Sequence, residues 1–133
     1  TAVLLRAAMQ GWYHRSQHVE VVDSLSPRQY TTYGSSLVCF MHGDIGKPTV
    51  WPVVMATEQA QAWGRARHRY IFTGHLHTER QLPSHGDVTI YRLPSLAGTD
   101  RWHDEKGYTS RPAIQSFAID KNSGIETIEI ARE

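Results

Sequence analysis

Cysteine is almost absent from this chain. Cys39 stands alone, so no internal disulfide can form and no thiolate cluster can hold zinc. It lies inside the apolar run Leu37-Val38-Cys39-Phe40-Met41, where it reads as a small buried hydrophobe in a reducing compartment. Long hydrophobic runs are missing as well. No stretch approaches the roughly 18 residues of a membrane span. The opening Thr1-Ala2-Val3-Leu4-Leu5-Arg6 has neither the basic leader nor the apolar length of a signal peptide. The expectation is a soluble, cytoplasmic protein with no membrane partner. A charge excess is lacking too: 14 Lys and Arg against 13 Asp and Glu leave +1. That excludes a global field drawing the chain to nucleic acid or anionic lipid, so any such contact is local.

What is present suits one folded domain. The chain has 133 residues, 40% of them hydrophobic, with four Trp, six Tyr and three Phe to fill a core. It is too short for an eight-fold β/α barrel, which needs roughly 200 residues. The sequence opens with Thr1 rather than Met, inside a helical pattern, and is therefore expected to be a piece of a longer protein.

Leu5, Ala8, Met9 and Trp12 recur at i, i+3, i+4 and i+7, which predicts a helix over residues 2–13. His18 to Val22 alternates like a strand. Tyr30 to Tyr33 and Ser36 to Met41 are β-prone runs joined by Gly34-Ser35, a two-residue hairpin connection. The second run is apolar almost throughout, as a strand buried on both faces would be. Val53, Ala56, Ala60 and Trp63 predict a second helix that Gly64 stops. Tyr70 to Thr73 reads as a strand, as do Val88 to Leu93, Pro112 to Asp120 and Ile125 to Ile130, the last two joined through Lys121-Asn122-Ser123-Gly124. The fold class is α/β: a mixed sheet with two main helices.

Eight histidines are the loudest compositional feature. His42 follows the strand Ser36 to Met41, and Gly74-His75-Leu76-His77 follows the strand Tyr70 to Thr73. One helical crossover lies between, which sets both loops on one rim of the sheet, where open α/β sheets bind ligands. His75 and His77 are two apart and share a side of an extended segment. Three imidazoles converging there make a metal site, whereas the isolated His14, His18 and His68 read as surface or capped side chains.

Phe40-Met41-His42-Gly43-Asp44 followed by Phe72-Thr73-Gly74-His75-Leu76-His77 resembles the last two motifs of the calcineurin-like metallophosphoesterases, over about residues 36 to 95. The resemblance implies the C-terminal half of a metallophosphoesterase-type α/β sandwich. It also implies two divalent ions per complete site, of Mn, Zn, Fe or Mg. By it, His42 and His75 bind one ion and His77 the other, with a phosphate mono- or diester and an attacking hydroxide held between them. Two cations roughly 3.5–4 Å apart can serve such an in-line attack.

The family's Asp-x-His, Gly-Asp-x-x-Asp and Gly-Asn-His-Asp/Glu motifs do not occur in this chain. The chain alone is therefore expected to be inactive, with no catalytic residue assigned. The rival class is a non-catalytic binding or assembly module. Other His-x-His families fit worse, since a metallo-β-lactamase-like site needs Asp-His where Glu79-Arg80 stands.

Asp44, two residues past His42, is expected to orient that imidazole. Arg101 and His103, in the polar segment Asp100-Arg101-Trp102-His103-Asp104, are candidates to meet substrate phosphate. Arg65, Arg67, His68 and Arg69 form a basic cluster that could meet a nucleic-acid backbone, although a solvated helix exit explains it as well. An open edge on Ser36 to Met41, or the apolar face of Leu5, Ala8, Met9 and Trp12, is expected to drive self-association.

Overall fold

The computed structural model describes residues 2–75, 80–96 and 112–132. Within them run three helices and seven strands. Their order is α1 (Ala2–Tyr13), β1 (Arg28–Tyr33), β2 (Ser36–Met41), α2 (Trp51–Glu58), α3 (Ala60–Arg65), β3 (His68–Thr73), β4 (Arg80–His85), β5 (Val88–Arg92), β6 (Ala113–Asp120) and β7 (Gly124–Arg132). Five strands form one mixed sheet in the order β1-β2-β3-β5-β4, and β6 pairs with β7 in a separate ribbon. In the large sheet β2, β3 and β5 are parallel, while β1 and β4 flank them antiparallel.

Alternation along the parallel strands sorts the core into two faces. Leu37 and Cys39 of β2, Ile71 of β3, and Val88 and Ile90 of β5 pack with Leu82 of β4 against Trp51 and Met55 of α2. Each fully buried aliphatic side chain here contributes roughly 1.5–3 kcal/mol. The intervening residues Val38, Tyr70, Phe72 and Tyr91 face the other way and pack on Phe117 and Ile125 of the ribbon. Aromatic rings dominate that second face: Phe72 meets Phe117 edge-on at 4.7 Å between centroids, and Tyr91 meets it at 4.9 Å. The result is three layers: α2 with α3, the sheet, and the ribbon.

The ribbon is fixed at its tip. Lys121 O accepts a hydrogen bond from Ser35 N, Asn122 O accepts from Ser35 Oγ, and Tyr70 Oη accepts from Ile125 N. Gly34, at a φ of 55°, has room for no side chain, because a Cβ there would overlap Lys121 O.

The hairpin at Gly34-Ser35 forms as its sequence indicates, and so does the β6–β7 hairpin. Elsewhere the structure departs from expectation. Residues 18–22 form no strand: Ser16 Oγ accepts from the backbone N–H of His18 and Val19, and among the described residues no strand pairs with the segment. Alternation fixes side-chain period, not pairing. The single helix expected around residues 53–63 is two, broken at Gln59, whose φ of −123° lies outside the helical region. Gly64 sits inside α3 rather than ending it. β4 was not foreseen because it carries Pro83. It is an edge strand with an irregular register between Leu82 and His85, the setting in which proline is tolerated. β2 is buried only over Ser36 to Cys39, and Phe40 is 48% exposed.

The break at Gln59 directly follows a clamp between α2 and β1. Glu58 accepts two hydrogen bonds from the Arg28 guanidinium, at 2.6 and 2.9 Å, and a third from Tyr30 Oη at 2.7 Å. Those donors, Arg28 first, hold the Glu58 carboxyl below its ordinary range. Burial, with the hydrogen bond to Glu58, pushes the Tyr30 phenol up. The pair is partly exposed, so Glu58→Gln is expected to cost only about 1 kcal/mol, read as a lowered urea midpoint. Because the native carboxyl is depressed, its stabilisation is complete above roughly pH 4.3 and is lost as pH falls through the lowered native value. The variant should lose that part of the acid sensitivity.

Of the two surfaces expected to drive self-association, β2 offers no edge, since β1 and β3 flank it. The α1 face lies open, with Leu5 62% and Trp12 83% exposed. Sedimentation equilibrium at micromolar concentration is expected to show species heavier than 15.1 kDa. A Leu5→Glu, Trp12→Glu double variant should return to monomer. A concentration-independent 15.1 kDa wild type would exclude association.

Candidate metal centre

Parallel pairing of β2 with β3 sets Met41 opposite Thr73, so both strands end on the same rim. His42 follows one end and Gly74-His75 the other. The two loops are then joined through one atom. The His42 carbonyl oxygen accepts from Thr73 Oγ1 at 2.7 Å, from His75 N at 2.8 Å and from Gly74 N at 3.2 Å. Three donors on one carbonyl leave that backbone little freedom. Gly43 makes the approach possible: its φ is 95°, and a Cβ there would overlap Thr73 Oγ1. Further along the same loop, the Trp51 indole N–H donates to Ile45 O at 2.9 Å.

On this joint the two imidazoles meet. His42 Nε2 and His75 Nδ1 are 3.0 Å apart, and the rings stand edge-on, 4.8 Å between centroids and 69° between planes. One nitrogen donates and the other accepts, according to tautomer. Two imidazole nitrogens on one tetrahedral ion stand roughly 3.3 Å apart at ordinary bond lengths. The pair therefore needs only a small opening to face an ion together. It is solvent-exposed, so an ion could enter without rearrangement of the core. The pair fits as two imidazole donors and falls short of a complete site, because among the described residues no third His, Cys, Asp or Glu is grouped with it.

His77, Arg101 and His103 lie outside the described residues. Asp44 is exposed in the turn after His42, and no hydrogen bond joins it to that ring. The His42 backbone is held by Thr73 Oγ1 and by the N–H groups of Gly74 and His75, and its ring meets His75. Thr73 gives no sequence signal beyond its place at a strand end, so its part was not legible in advance.

The isolated histidines divide as their type suggests. His14 Nδ1 bonds Gly11 O at 2.7 Å and His68 Nε2 bonds Asn122 O at 3.0 Å, both within the protein's own turns. In the basic cluster, Arg69 turns inward. Its guanidinium lies 4.4 Å from the Trp63 ring centroid and donates to the carbonyls of Trp63 and Ala66 at the end of α3. Cys39 is no nucleophile candidate, because burial pushes its thiol up to about 11. A cavity of about 680 Å³ lies beside the α2–α3 break, lined by Thr32, Glu58, Gln59 and Arg65 among others, away from the histidine pair.

No protein-family model, curated protein or solved structure matches this chain.

The joint is testable without any metal. Gly43→Ala forces a left-handed residue with a Cβ into Thr73 and is expected to destabilise by roughly 1–3 kcal/mol. Thr73→Val, which deletes one of three donors, should cost about 1 kcal/mol. Urea denaturation gives both values, and a smaller loss for Gly43→Ala than for Thr73→Val would refute the geometry described.

Proposed function

We propose that this chain contributes to a metal-dependent phosphoesterase, in which His42 and His75 hold a divalent ion against a phosphate mono- or diester, with nucleotides and nucleic acid within that class. The observation that carries the reading is the pair of imidazole nitrogens 3.0 Å apart at the ends of adjacent parallel strands. Two nitrogens that meet on a backbone joint with three donors are preorganised for one ligand between them. A divalent cation there would supply Lewis-acid charge and lower the pKa of a water.

The chain's own residues provide position. Thr73 and the N–H groups of Gly74 and His75 hold the His42 carbonyl, and Gly43 lets the loop pass over Thr73. By the Gly-His-x-His resemblance, His77 would hold a second ion. The second reading, a non-catalytic binding module, is favoured by the absence of a third grouped ligand among the described residues.

Two imidazoles without a bridging carboxylate leave an ion short of ligands and of charge compensation, so binding by this chain is expected to be weak. Calorimetric titration with Mn²⁺ or Zn²⁺ should show low-affinity binding that disappears in His75→Ala. Turnover of bis-(p-nitrophenyl) phosphate by the chain with Mn²⁺ should stay near the blank. Binding unchanged in His75→Ala would remove the basis of the metal reading, and no binding at all would favour the non-catalytic module.

A further inference from the structure

One strand away from the histidine joint, two arginines stand opposite each other in the sheet. Arg80 opens β4, Arg92 closes β5, and the two are direct register partners. Direct antiparallel partners project on the same face of a sheet. The next same-face pair along the strands, Leu82 and Ile90, lies in the helix-side core, so both arginines leave from that face.

Arg92 is also the register partner of Thr73 on β3. Thr73 is the residue whose Oγ1 holds the His42 carbonyl. The arginine pair therefore adjoins the rim that carries His42 and His75, one strand away from the joint. Among the described residues neither arginine takes part in an ion pair, and neither side chain makes a hydrogen bond.

Like charges directly opposed across a ladder destabilise it. Natural sheets relieve such a pair with a carboxylate, and here none of the described residues supplies one. An anion between the guanidiniums would relieve that repulsion. Each guanidinium presents a planar fork of N–H donors that matches two oxygens of a phosphoryl group. We propose that Arg80 and Arg92 form a phosphate-binding subsite at the carboxyl rim of the sheet, taking inorganic phosphate or the phosphoryl group of an ester. Its assignment to substrate rests on the phosphoesterase reading, whereas the anion binding itself needs no metal.

The subsite has two signatures that a structural pair of arginines would lack. Without phosphate, Arg80→Gln or Arg92→Gln removes a repulsion, so the melting temperature should hold or rise. With phosphate, either variant should bind about tenfold more weakly than wild type, the loss expected for one charge-assisted interaction. The experiment is a thermal-shift titration with inorganic phosphate in chelator, against KCl at matched ionic strength, with Arg67→Gln as a surface control.

Wild type and Arg67→Gln should show the same phosphate stabilisation above KCl. Wild-type stabilisation no greater than that of KCl, or equal stabilisation in the two Gln variants and wild type, would overturn the subsite. A second measurement needs no variant. Phosphate should slow phenylglyoxal modification of Arg80 and Arg92, mapped by mass spectrometry, while leaving Arg67 unchanged, and uniform rates would overturn the proposal. Because both runs exclude metal, their failure leaves the imidazole pair standing, and failure of the metal titration leaves this subsite standing.

Discussion

The His42 carbonyl oxygen is the point on which the candidate site depends. It sits where β2 ends, and all three of its donors come from Thr73, Gly74 and His75, the end of β3 and the residues just after it. A strand end is normally where a chain gains freedom. Here the joint ties two strand ends together, so the imidazoles that follow inherit the rigidity of the sheet. Parallel pairing is what makes this possible, because an antiparallel neighbour would place the two loops at opposite ends. The helical crossover α2–α3 is the connection that parallel neighbours require, and its Trp51 holds the same loop through Ile45.

Burial is distributed to support that rim. The helix-side core runs from Leu37 and Ile71 to Ile90 and is closed by Trp51 and Met55, directly beneath the loop of residues 42–50. The opposite face is held by aromatic stacking on the ribbon, with the turn at Gly34-Ser35 bonded to the ribbon tip. Both supports act on β2 and β3, the strands that carry the histidines. The edges serve differently: β1 is clamped to α2 through Arg28, Tyr30 and Glu58, while β4 contributes Leu82 to the core and Arg80 to the rim.

The sequence was legible where one local rule was enough. Gly34-Ser35 between β-prone runs marked a hairpin, and Lys121-Asn122-Ser123-Gly124 marked another. The apolar run Leu37 to Met41 and the run Tyr70 to Thr73, separated by a helical pattern, placed His42 and His75 on one rim. Reading failed where the deciding partner was distant in sequence. Residues 18–22 alternate without a strand to pair with among the described residues, and Gln59 leaves the helix beside a clamp made from β1. β4 was hidden by Pro83, which a propensity rule rejects and an edge position accepts. That omission concealed the opposition of Arg80 and Arg92, visible only from register. Thr73 was missed for a related reason, since its hydroxyl acts on a carbonyl 31 positions away.

Charge balance ties the rim together. It presents two imidazoles and two guanidiniums, and the described residues group no carboxylate with either pair. These four side chains offer donors and no negative charge. A divalent cation placed on the imidazoles would worsen that imbalance by itself, which is a physical reason for weak metal affinity in isolation. On the proposed reading, a phosphoryl group would offset that excess, because its oxygens would accept from the guanidiniums and attract the cation. If both ligands bind as proposed, each would improve the site for the other, a coupling that is reciprocal by thermodynamic necessity.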